Sequence, residues 1–468
     1  MIDRLAATPF GPRGVYEALV ERVYLPVVDW RKKTSFGDAS KEALANQRLS
    51  RQDLDALVLE KLRRIVAHAD QTCPFYGERF RKAGVDVGTL RTAADLARFP
   101  LVAKSDVAEH GPEMDSRDYQ GRIARGVTSG STGTALRFRQ GAEHEGWIDA
   151  CWNRGFGWWG VRRGDRRFVL WGRPVDGGAR PQVEAWLKHR LRNGLSFNTF
   201  EELTDEFLGR VVHALETFQP RMIYGYGSSI GALAEFMARE NLVLEGDARP
   251  NVIVYTGDHI YEAERQTAER VLGAPVVSLY GSSEAGSVGY TCQAGSMHVS
   301  EDHIHVEFVR EDGSYADAGE QAEIVVTTLN NFAMPMIRYR VGDLGSWRDE
   351  PCACGVTLRT MNLEVGKVAD RITTSSKKLV SPYSLDYINK HLLRQGVRGI
   401  RQFLVEQTGT DDFVLHIVKE EPFNPRCVSF FTEKMKEYLG DSITTEVRFT
   451  DAIPVSPSGK RRWFQKSI

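Results

Sequence analysis

Apolar residues recur at helical spacing in the first part of the chain. They are separated by steps of one, three or four positions, with Lys61, Arg63 and Arg64 between them: Leu54, Leu57, Val58, Leu62, Ile65, Val66 and Ala69. This spacing predicts an amphipathic helix. Packing of one face against a core accounts for the pattern in full.

Short apolar runs and helical stretches alternate through the middle of the chain. Residues 167–171 and 251–255 are strand-like, and residues 262–272 have helical spacing. Such alternation predicts an α/β fold built from βαβ units.

The pattern changes near Gly366, where a polar run follows. Beyond it we expect a helix over 382–393, strands over 400–406 and 413–418, a helix over 425–439 and a strand over 445–449. About a hundred residues is the size of a small α+β domain. The sequence therefore predicts a large N-terminal domain, 1–365, and a small C-terminal domain, 366–468.

Length and charge narrow the classes of partner. A chain of 468 residues exceeds the usual size of one core. The formal net charge of −1 gives no overall electrostatic reason to bind nucleic acid or a membrane surface. No apolar run approaches the roughly 20 residues of a membrane helix. We expect a cytoplasmic protein that binds small molecules, with a homodimer as one option.

A loop rich in glycine and hydroxyl side chains stands at 127–134, with the sequence VTSGSTGT. A Walker A loop would have Lys and then Ser or Thr after its last glycine, whereas Thr134 and Ala135 follow Gly133. A surface linker is the alternative, although the flanking residues are strand-like. The candidate phosphate-binding residues are Ser129, Gly130, Ser131, Thr132, Gly133 and Thr134.

Four further segments carry polar residues after predicted strands. They are 254–258 (VYTGD), 279–286 (LYGSSEAG), 337–343 (IRYRVGD) and 453–460 (IPVSPSGK). Taken singly, each has a plain structural alternative: a strand end, a turn with a solvated Glu, a Gly-Asp turn with an Asx bond, and a solvated terminal Lys.

In this order the five segments resemble the adenylate-forming (ANL) superfamily, in particular its phenylacetate-CoA ligase branch and the related capsule-biosynthesis ligases. The resemblance runs from about residue 65 to the end. It implies a large multilayer α/β adenylating domain and a small mobile α+β lid, with Asp370 at the hinge between them.

The resemblance also implies roles for residues of these segments. Gly257 and Asp258 would border the adenine and acyl pocket, and Tyr280 would pack on adenine within a motif that includes Gly281 and Ser282. Ser283 would contact the phosphate or the acyl carbonyl. Glu284 would hold Mg²⁺, which prefers carboxylate and phosphate oxygens.

Three more expectations complete the nucleotide site and the acyl pocket. Asp343 would accept the ribose hydroxyls, in the motif that contains Arg340. Lys460 would stabilise the charge that develops on the phosphoryl oxygens. The acyl pocket wall is expected from Tyr224, Gly225, Tyr226 and Tyr255, and Tyr226 suits a planar acid.

The expected reaction is ATP-dependent activation of a carboxylic acid as an acyl-adenylate, followed by transfer to CoA, with a small aromatic acid as substrate. Two departures from the family pattern weigh against transfer to CoA. The family has Gly-Arg where this chain has Gly366-Lys367. Its CoA-using members commonly have a glycine in the loop after the hinge, where this chain has Ser375-Ser376-Lys377-Lys378. The alternatives are a ligase that passes the adenylate to an amine, hydroxyl or carrier-protein thiol, and a catalytically silent nucleotide-binding scaffold.

The six cysteines are too few for a disulfide scaffold. Cys292, His298, Cys352 and Cys354 make a full Zn²⁺ ligand set with no open position, which is typical of a structural site. Buried free thiols are the alternative. We expect Cys73, Cys151 and Cys427 to be buried apolar residues.

Overall fold

The computed structural model describes residues 14–128, 136–171, 189–199, 204–257, 259–260, 262–367, 372–376, 379–380, 385, 388, 392, 399–419, 421–453 and 463–467. The chain forms two compact units. The first comprises residues 1–320, 324–341 and 346–362, and the second comprises 321–323, 342–345 and 363–468.

Helices dominate residues 14–110. They are Val15–Leu19, a π-helical turn Val20–Tyr24, Leu25–Lys32, Phe36–Asn46, Arg51–Thr72, Pro74–Lys82 and Lys104–His110. The predicted amphipathic helix is Arg51–Thr72. It begins after Ser50, whose hydroxyl accepts from the Asp53 amide, and it buries Leu54, Val58, Leu62, Ile65, Val66 and Ala69.

A hairpin and a long helix follow. Strands β1 (Ile123–Thr128) and β2 (Leu136–Gly141) pair antiparallel, with Thr128 opposite Leu136. The helix Ala142–Gly157 begins directly after β2. The hairpin fixes both ends of the predicted phosphate loop.

The centre of the first unit is a parallel sheet of β3 (Arg167–Leu170), β4 (Gly194–Phe197), β5 (Met222–Tyr226), β6 (Val252–Thr256) and β7 (Val276–Ser282). Helices Asp205–Phe218, Gly227–Arg239 and Glu262–Leu272 connect these strands. Alternate residues face different cores: Ile223 and Ile253 pack with the connecting helices, whereas Met222 and Val252 pack with Phe156. Burial on both faces is typical of parallel sheets.

Strands that follow β7 extend the sheet. They are β8 (Gly286–Thr291), β9 (Met297–Val299), β10 (Ile304–Val309), β11 (Ala322–Thr328), β12 (Tyr339–Trp347) and β13 (Thr360–Lys367). The strand order is β10-β11-β12-β13-β9-β8-β7-β6-β5-β3-β4. Strand β8 is antiparallel to β7, so the chain reverses at residues 283–285.

The second unit contains the short pair β14 (Ile372–Thr373) and β15 (Leu379–Val380), and a four-stranded sheet. The sheet consists of β16 (Ile400–Gln407), β17 (Asp412–Lys419), β18 (Thr444–Phe449) and β19 (Phe464–Lys466), in the order β18-β17-β16-β19. Helix Arg426–Leu439 buries Phe431 and Met435 against Phe403 and Leu415. The α+β composition agrees with the predicted elements.

No helix in the described ranges combines the length and the apolar character that crossing a bilayer requires.

Candidate active site and metal centre

The carboxyl ends of β5, β6 and β7 lie next to one another. These strands are parallel, and Tyr226 pairs with Thr256. The segment 280–284 therefore begins at the sheet edge where Tyr226 and Gly257 also lie. In open α/β sheets ligands bind at this edge.

The turn between β7 and β8 contains two glycines that no other residue can replace without movement. A Cβ on Gly281 would lie 2.5 Å from the Gly286 carbonyl oxygen, and Gly286 has φ +88°. The ladder shifts register between Tyr280 and Gly281, and the Ala285 amide donates to Ser282 Oγ at 3.0 Å. The turn is thus held in one conformation.

Glu284 is buried in this turn, with only 5% of its surface exposed. Tyr339 Oη donates a hydrogen bond of 2.7 Å to Glu284 Oε1. Gln140, at the end of β2, donates to the Ser283 carbonyl at 3.0 Å. The Glu284 carboxylate is therefore oriented by a neighbour, as a metal-binding carboxylate must be.

Tyr339 is itself held by the backbone on both sides. The Val102 amide donates to the Arg338 carbonyl at 2.9 Å, and the Arg340 amide donates to the Val102 carbonyl at 2.9 Å. Arg338 has φ +50°, which is unusual for a residue other than glycine. Its buried guanidinium donates to Glu307 at 3.0 Å and to the Phe99 carbonyl at 2.7 Å.

The other residues of the Tyr-Arg-x-Gly-Asp motif lie on β12. Arg340 is exposed and Asp343 is half-buried, with Gly342 at φ +86° before it. Sequence reasoning gave a role to Asp343 but none to Tyr339, because the partner of Tyr339 is 55 positions away.

Aromatic rings form a stack along the predicted acyl pocket wall. The Trp171 ring lies 4.2 Å from the Tyr226 ring and 5.6 Å from the Tyr224 ring, nearly parallel to both. Gly225 lies between the tyrosines, and a Cβ there would meet the Leu170 carbonyl oxygen at 2.7 Å. Burial raises the pKa of Tyr224, so its hydroxyl stays neutral.

Tyr255 and Gly257 complete this edge. Tyr255 is half-buried against the core of the connecting helices. Gly257 has φ +81°, and a Cβ there would lie 2.9 Å from the Tyr226 ring. Trp171 is not among the predicted residues of the pocket wall; its place at the carboxyl end of the predicted strand 167–171 was the available signal.

Several predicted site residues lie outside the described residues. They are Ser129, Gly130, Ser131, Thr132, Gly133, Thr134, Asp258, Asp370 and Lys460.

The predicted metal ligands are brought together. One atom from each of Cys292, His298, Cys352 and Cys354 lies within 4.8 Å of the others. Cys292 Sγ is 3.5 Å from Cys352 Sγ, and His298 Nε2 is 3.2 Å from Cys354 Sγ. Zn–S bonds of about 2.3 Å in a tetrahedron place sulfurs about 3.8 Å apart, so the donor set fits Zn²⁺.

Local backbone geometry prepares this cluster. The Cys292 amide donates to the Ser296 carbonyl in a turn that closes at Gly295, where φ is +78°. His298 Nδ1 lies 2.8 Å from the Leu358 carbonyl. Nδ1 is then the protonated nitrogen, and Nε2 presents its lone pair to the thiols. Burial lowers the pKa of His298, which favours this neutral form.

The cluster lies at the far end of β8 from the turn that holds Glu284. Six residues of strand span about 20 Å, so the metal centre is separate from the candidate active site. Cys73, Cys151 and Cys427 are buried, which confirms the expectation for these three.

The sequence is similar to a domain model and to two known proteins of the family that the motifs resemble. A model of the CapK C-terminal domain matches residues 372–467. The phenylacetate-coenzyme A ligase of Thermus thermophilus is 27% identical over 84% of this chain and 86% of its own length. Protein CapK of Staphylococcus aureus is 20% identical over 89% of this chain and 90% of its own.

Solved structures show the same fold. A 2-hydroxyisobutyryl-CoA ligase in the postadenylation state, in complex with 2-HIB-AMP, superimposes with a TM-score of 0.69. The identity is 20%, covering 90% of this chain and 91% of that one. These likenesses confirm the resemblance drawn from the motifs and the two-part α/β fold that it implies.

Proposed function

We propose that this chain, a relative of the phenylacetate-CoA ligases and of CapK with the fold of adenylate-forming ligases, activates a carboxylic acid with ATP and transfers the acyl group to CoA. A small aromatic acid is the proposed substrate. Because ATP and CoA are the proposed co-substrates, we place the enzyme in the cytoplasm.

One observation carries the proposal: the buried Glu284 carboxylate, fixed by Tyr339 at 2.7 Å, lies in the turn that begins at the carboxyl edge of β7. A buried carboxylate that accepts from a neutral hydroxyl is costly unless a cation also binds it. Mg²⁺ on the phosphates of ATP is such a cation. Tyr280 precedes the turn and is itself buried, as a residue that supports the adenine would be.

The chemistry needs no covalent bond to the protein. A carboxylate oxygen of the acid attacks the α-phosphorus, the bond to the bridging oxygen breaks, and pyrophosphate leaves. The product is a mixed anhydride with AMP. A thiolate then attacks the acyl carbon and AMP leaves with the electron pair. Residues 129–134 would bind phosphate oxygens, Asp343 the ribose, and Lys460 the developing charge.

The stack of Trp171 on Tyr226 supports a planar acyl group. Both rings lie at the carboxyl edge of the parallel strands, and the Tyr226 ring packs against Gly257, which has no side chain. A flat ring buries large area against another flat ring. The acid that best fills such a site is aromatic.

The first experiment is a panel of carboxylic acids scored by pyrophosphate release, with CoA present and absent. We expect aromatic acids to release pyrophosphate and, with CoA, to yield a thioester detectable by mass. AMP production without any acyl-CoA would instead assign the adenylate to an amine, hydroxyl or carrier-protein acceptor. No turnover with any acid would favour the silent scaffold.

The role of Glu284 has a matched control. Glu284→Gln should raise the Mg²⁺ concentration for half-maximal pyrophosphate release at least tenfold, because it removes a charged ligand. Glu264→Gln changes an equally buried carboxylate on helix Glu262–Leu272, and should leave that concentration unchanged.

Lys460→Ala tests the proposal that Lys460 stabilises the charge that develops on the phosphoryl oxygens. Full-rate pyrophosphate release in this variant would refute that role.

For the metal centre we propose one structural Zn²⁺ held by Cys292, His298, Cys352 and Cys354. Metal analysis of the purified protein should give one zinc per chain. Cys354→Ser removes a ligand near the surface and should release the zinc, whereas Cys427→Ser, at a buried thiol of the second unit, should retain it. Wild-type protein with less than a tenth of an equivalent would contradict the proposal.

A further inference from the structure

The N-terminal helical segment 15–32 carries an apolar stripe that faces solvent. Five side chains spaced three or four residues apart are more than half exposed: Val15 at 68%, Leu19 at 52%, Val23 at 55%, Val27 at 51% and Trp30 at 79%. Residues at this spacing lie on one side of a helix. We refer to these five residues as the apolar stripe.

The opposite side of the same segment is anchored. Val20 and Leu25 are buried, and Glu17 pairs with Arg166 at 3.4 Å. Arg163 Nη2 donates to Asp29 Oδ1 at 2.9 Å. The segment is therefore fixed to the first unit, and the apolar stripe is a permanent feature of its surface.

The charges around the apolar stripe have one predominant sign. Arg22, Arg31, Lys32 and Lys33 are exposed. The acids Glu17 and Asp29 are turned inward to arginines, which leaves Glu21, half-buried, as the remaining acid of the segment. The exposed side of the segment is thus apolar and cationic.

We propose that segment 15–32 docks flat on an anionic lipid bilayer, with the apolar stripe in the headgroup region. Helices that lie in a membrane interface combine an apolar face, flanking Lys and Arg, and aromatic residues at the headgroup level. Trp30, the most exposed residue of the apolar stripe, is of the type enriched there. At 18 residues the segment is about 27 Å long, and it lies along the surface.

Charge favours a bilayer over a second copy of the chain. An antiparallel pair of segments would place Arg31, Lys32 and Lys33 beside the partner's helix N-terminus, which is itself positive. The segment exposes no fully accessible acid to offset this repulsion. Anionic headgroups satisfy the same cations. This inference does not depend on the proposed ligase activity.

The net charge of −1 concealed this surface, because it averages over 61 basic and 62 acidic residues. The expectation of no membrane partner rested on that average and on the absence of an apolar run of roughly 20 residues. The local distribution of charge, which only the fold supplies, governs attraction to an anionic membrane surface.

The test is co-sedimentation of the full chain with vesicles of phosphatidylcholine alone and of phosphatidylcholine with 30% phosphatidylserine. We expect binding to the mixed vesicles, weakened by 0.5 M salt. Val23→Glu should lower the affinity at least tenfold. Arg31→Gln and Lys33→Gln should each lower it about fivefold, on the anionic vesicles only.

Val243→Glu is the control, since Val243 is 44% exposed and belongs to the loop after helix Gly227–Arg239, outside the segment, and its binding should equal that of the wild type. Trp30→Ala carries the test if Val23→Glu fails to fold. Absence of wild-type binding to either vesicle would overturn the proposal. A wild-type dimer in light scattering that Val23→Glu separates would assign the apolar stripe to a second copy instead.

Discussion

At the scale of single residues, the hydroxyl of Tyr339 is the group that orients Glu284. The donor and acceptor are both buried and 2.7 Å apart. A hydrogen bond to an ionised acceptor contributes about 1.5–3 kcal/mol. Removal of the hydroxyl leaves the carboxylate free to rotate, while the ring still fills its space.

Tyr339→Phe should therefore raise the Mg²⁺ concentration for half-maximal pyrophosphate release about tenfold. The melting temperature should fall only slightly, because the ring stays in place. Measurement of initial rates across a magnesium series gives the shift.

Tyr315→Phe is the matched control. Tyr315 Oη donates to Glu307 Oε1 at 2.7 Å, a similar bond in the network that holds Arg338. Its loss should leave the magnesium dependence unchanged. An equal shift in both variants would show that the effect of Tyr339→Phe is a general loss of stability.

The sequence predicted Glu284 but not what orients it. Motif spacing identifies a carboxylate after a strand, and the structure places Glu284 there. The contact with Tyr339 depends on how β7 and β12 lie in the fold, which local spacing does not determine. The same holds for Trp171, which directly follows β3, and Tyr226, which ends β5.

At the scale of elements, the reversal from β7 to β8 depends on Gly286. Its φ of +88° is strained for any side chain, and a Cβ would lie 2.6 Å from Ile148 on helix Ala142–Gly157. Backbone strain costs about 1–2 kcal/mol, and overpacking adds about 1–3 kcal/mol.

Gly286→Ala should lower the free energy of unfolding by about 2–5 kcal/mol, measured by urea denaturation. Gly313→Ala separates the two causes, because Gly313 has φ +87° with no atom within 4 Å of the added Cβ. Gly313→Ala should lower the free energy of unfolding by only about 1–2 kcal/mol. Equal losses in the two variants would rule out the clash with Ile148.

A buried ion pair joins helix Ala142–Gly157 to the turn after β9. Arg154 donates to both oxygens of Asp302, at 2.8 and 3.0 Å, and the two side chains are at most 1% exposed. The Arg154 charge and a hydrogen bond from Asn46 lower the pKa of Asp302 against the opposing effect of burial.

Arg154→Ala should lower the free energy of unfolding by about 3–5 kcal/mol, because it leaves the buried Asp302 carboxylate without the arginine that pairs with it. Arg310→Ala removes a surface arginine, whose side chain is 33% exposed, from its ion pairs with Asp317 and Glu320, and should cost at most about 1 kcal/mol. Denaturation of both variants at pH 7.5 makes the comparison. A loss below 1 kcal/mol for Arg154→Ala would contradict the assigned role.

Helices and strands whose apolar residues recur at a clear period were predicted well. The helix Arg51–Thr72 and strands β3 and β6 of the parallel sheet follow directly from apolar spacing, as do β16, β17 and helix Arg426–Leu439. The helices of residues 15–46 were missed. The exposed apolar stripe of 15–32 blurs the amphipathic pattern there, because apolar residues occupy both sides of the segment.

At the scale of the whole molecule, two buried histidines couple stability to pH. His144 and His303 have no exposed surface, and their rings lie 4.9 Å apart. Burial lowers the pKa of His144 to about 3 and that of His303 well below its usual value. Both rings are neutral in the folded chain, although unfolded histidines titrate near 6.5.

The direction of the pH effect follows from proton uptake. Below about pH 6.5 histidines of the unfolded chain bind protons, whereas His144 and His303 in the folded chain do not. The contribution of these two residues to the free energy of unfolding is therefore complete above that pH and is lost as the pH drops toward 3. Between pH 7.5 and 5.0, His144 alone accounts for a loss of about 2 kcal/mol.

His144→Leu should therefore reduce the loss of unfolding free energy at acid pH by about that amount, measured by urea denaturation at the two pH values. His213→Leu, at an exposed position of helix Asp205–Phe218, should leave the acid loss unchanged. If His144→Leu loses as much stability as the wild type, the acid sensitivity has another source, since no proton is then taken up at this position on unfolding.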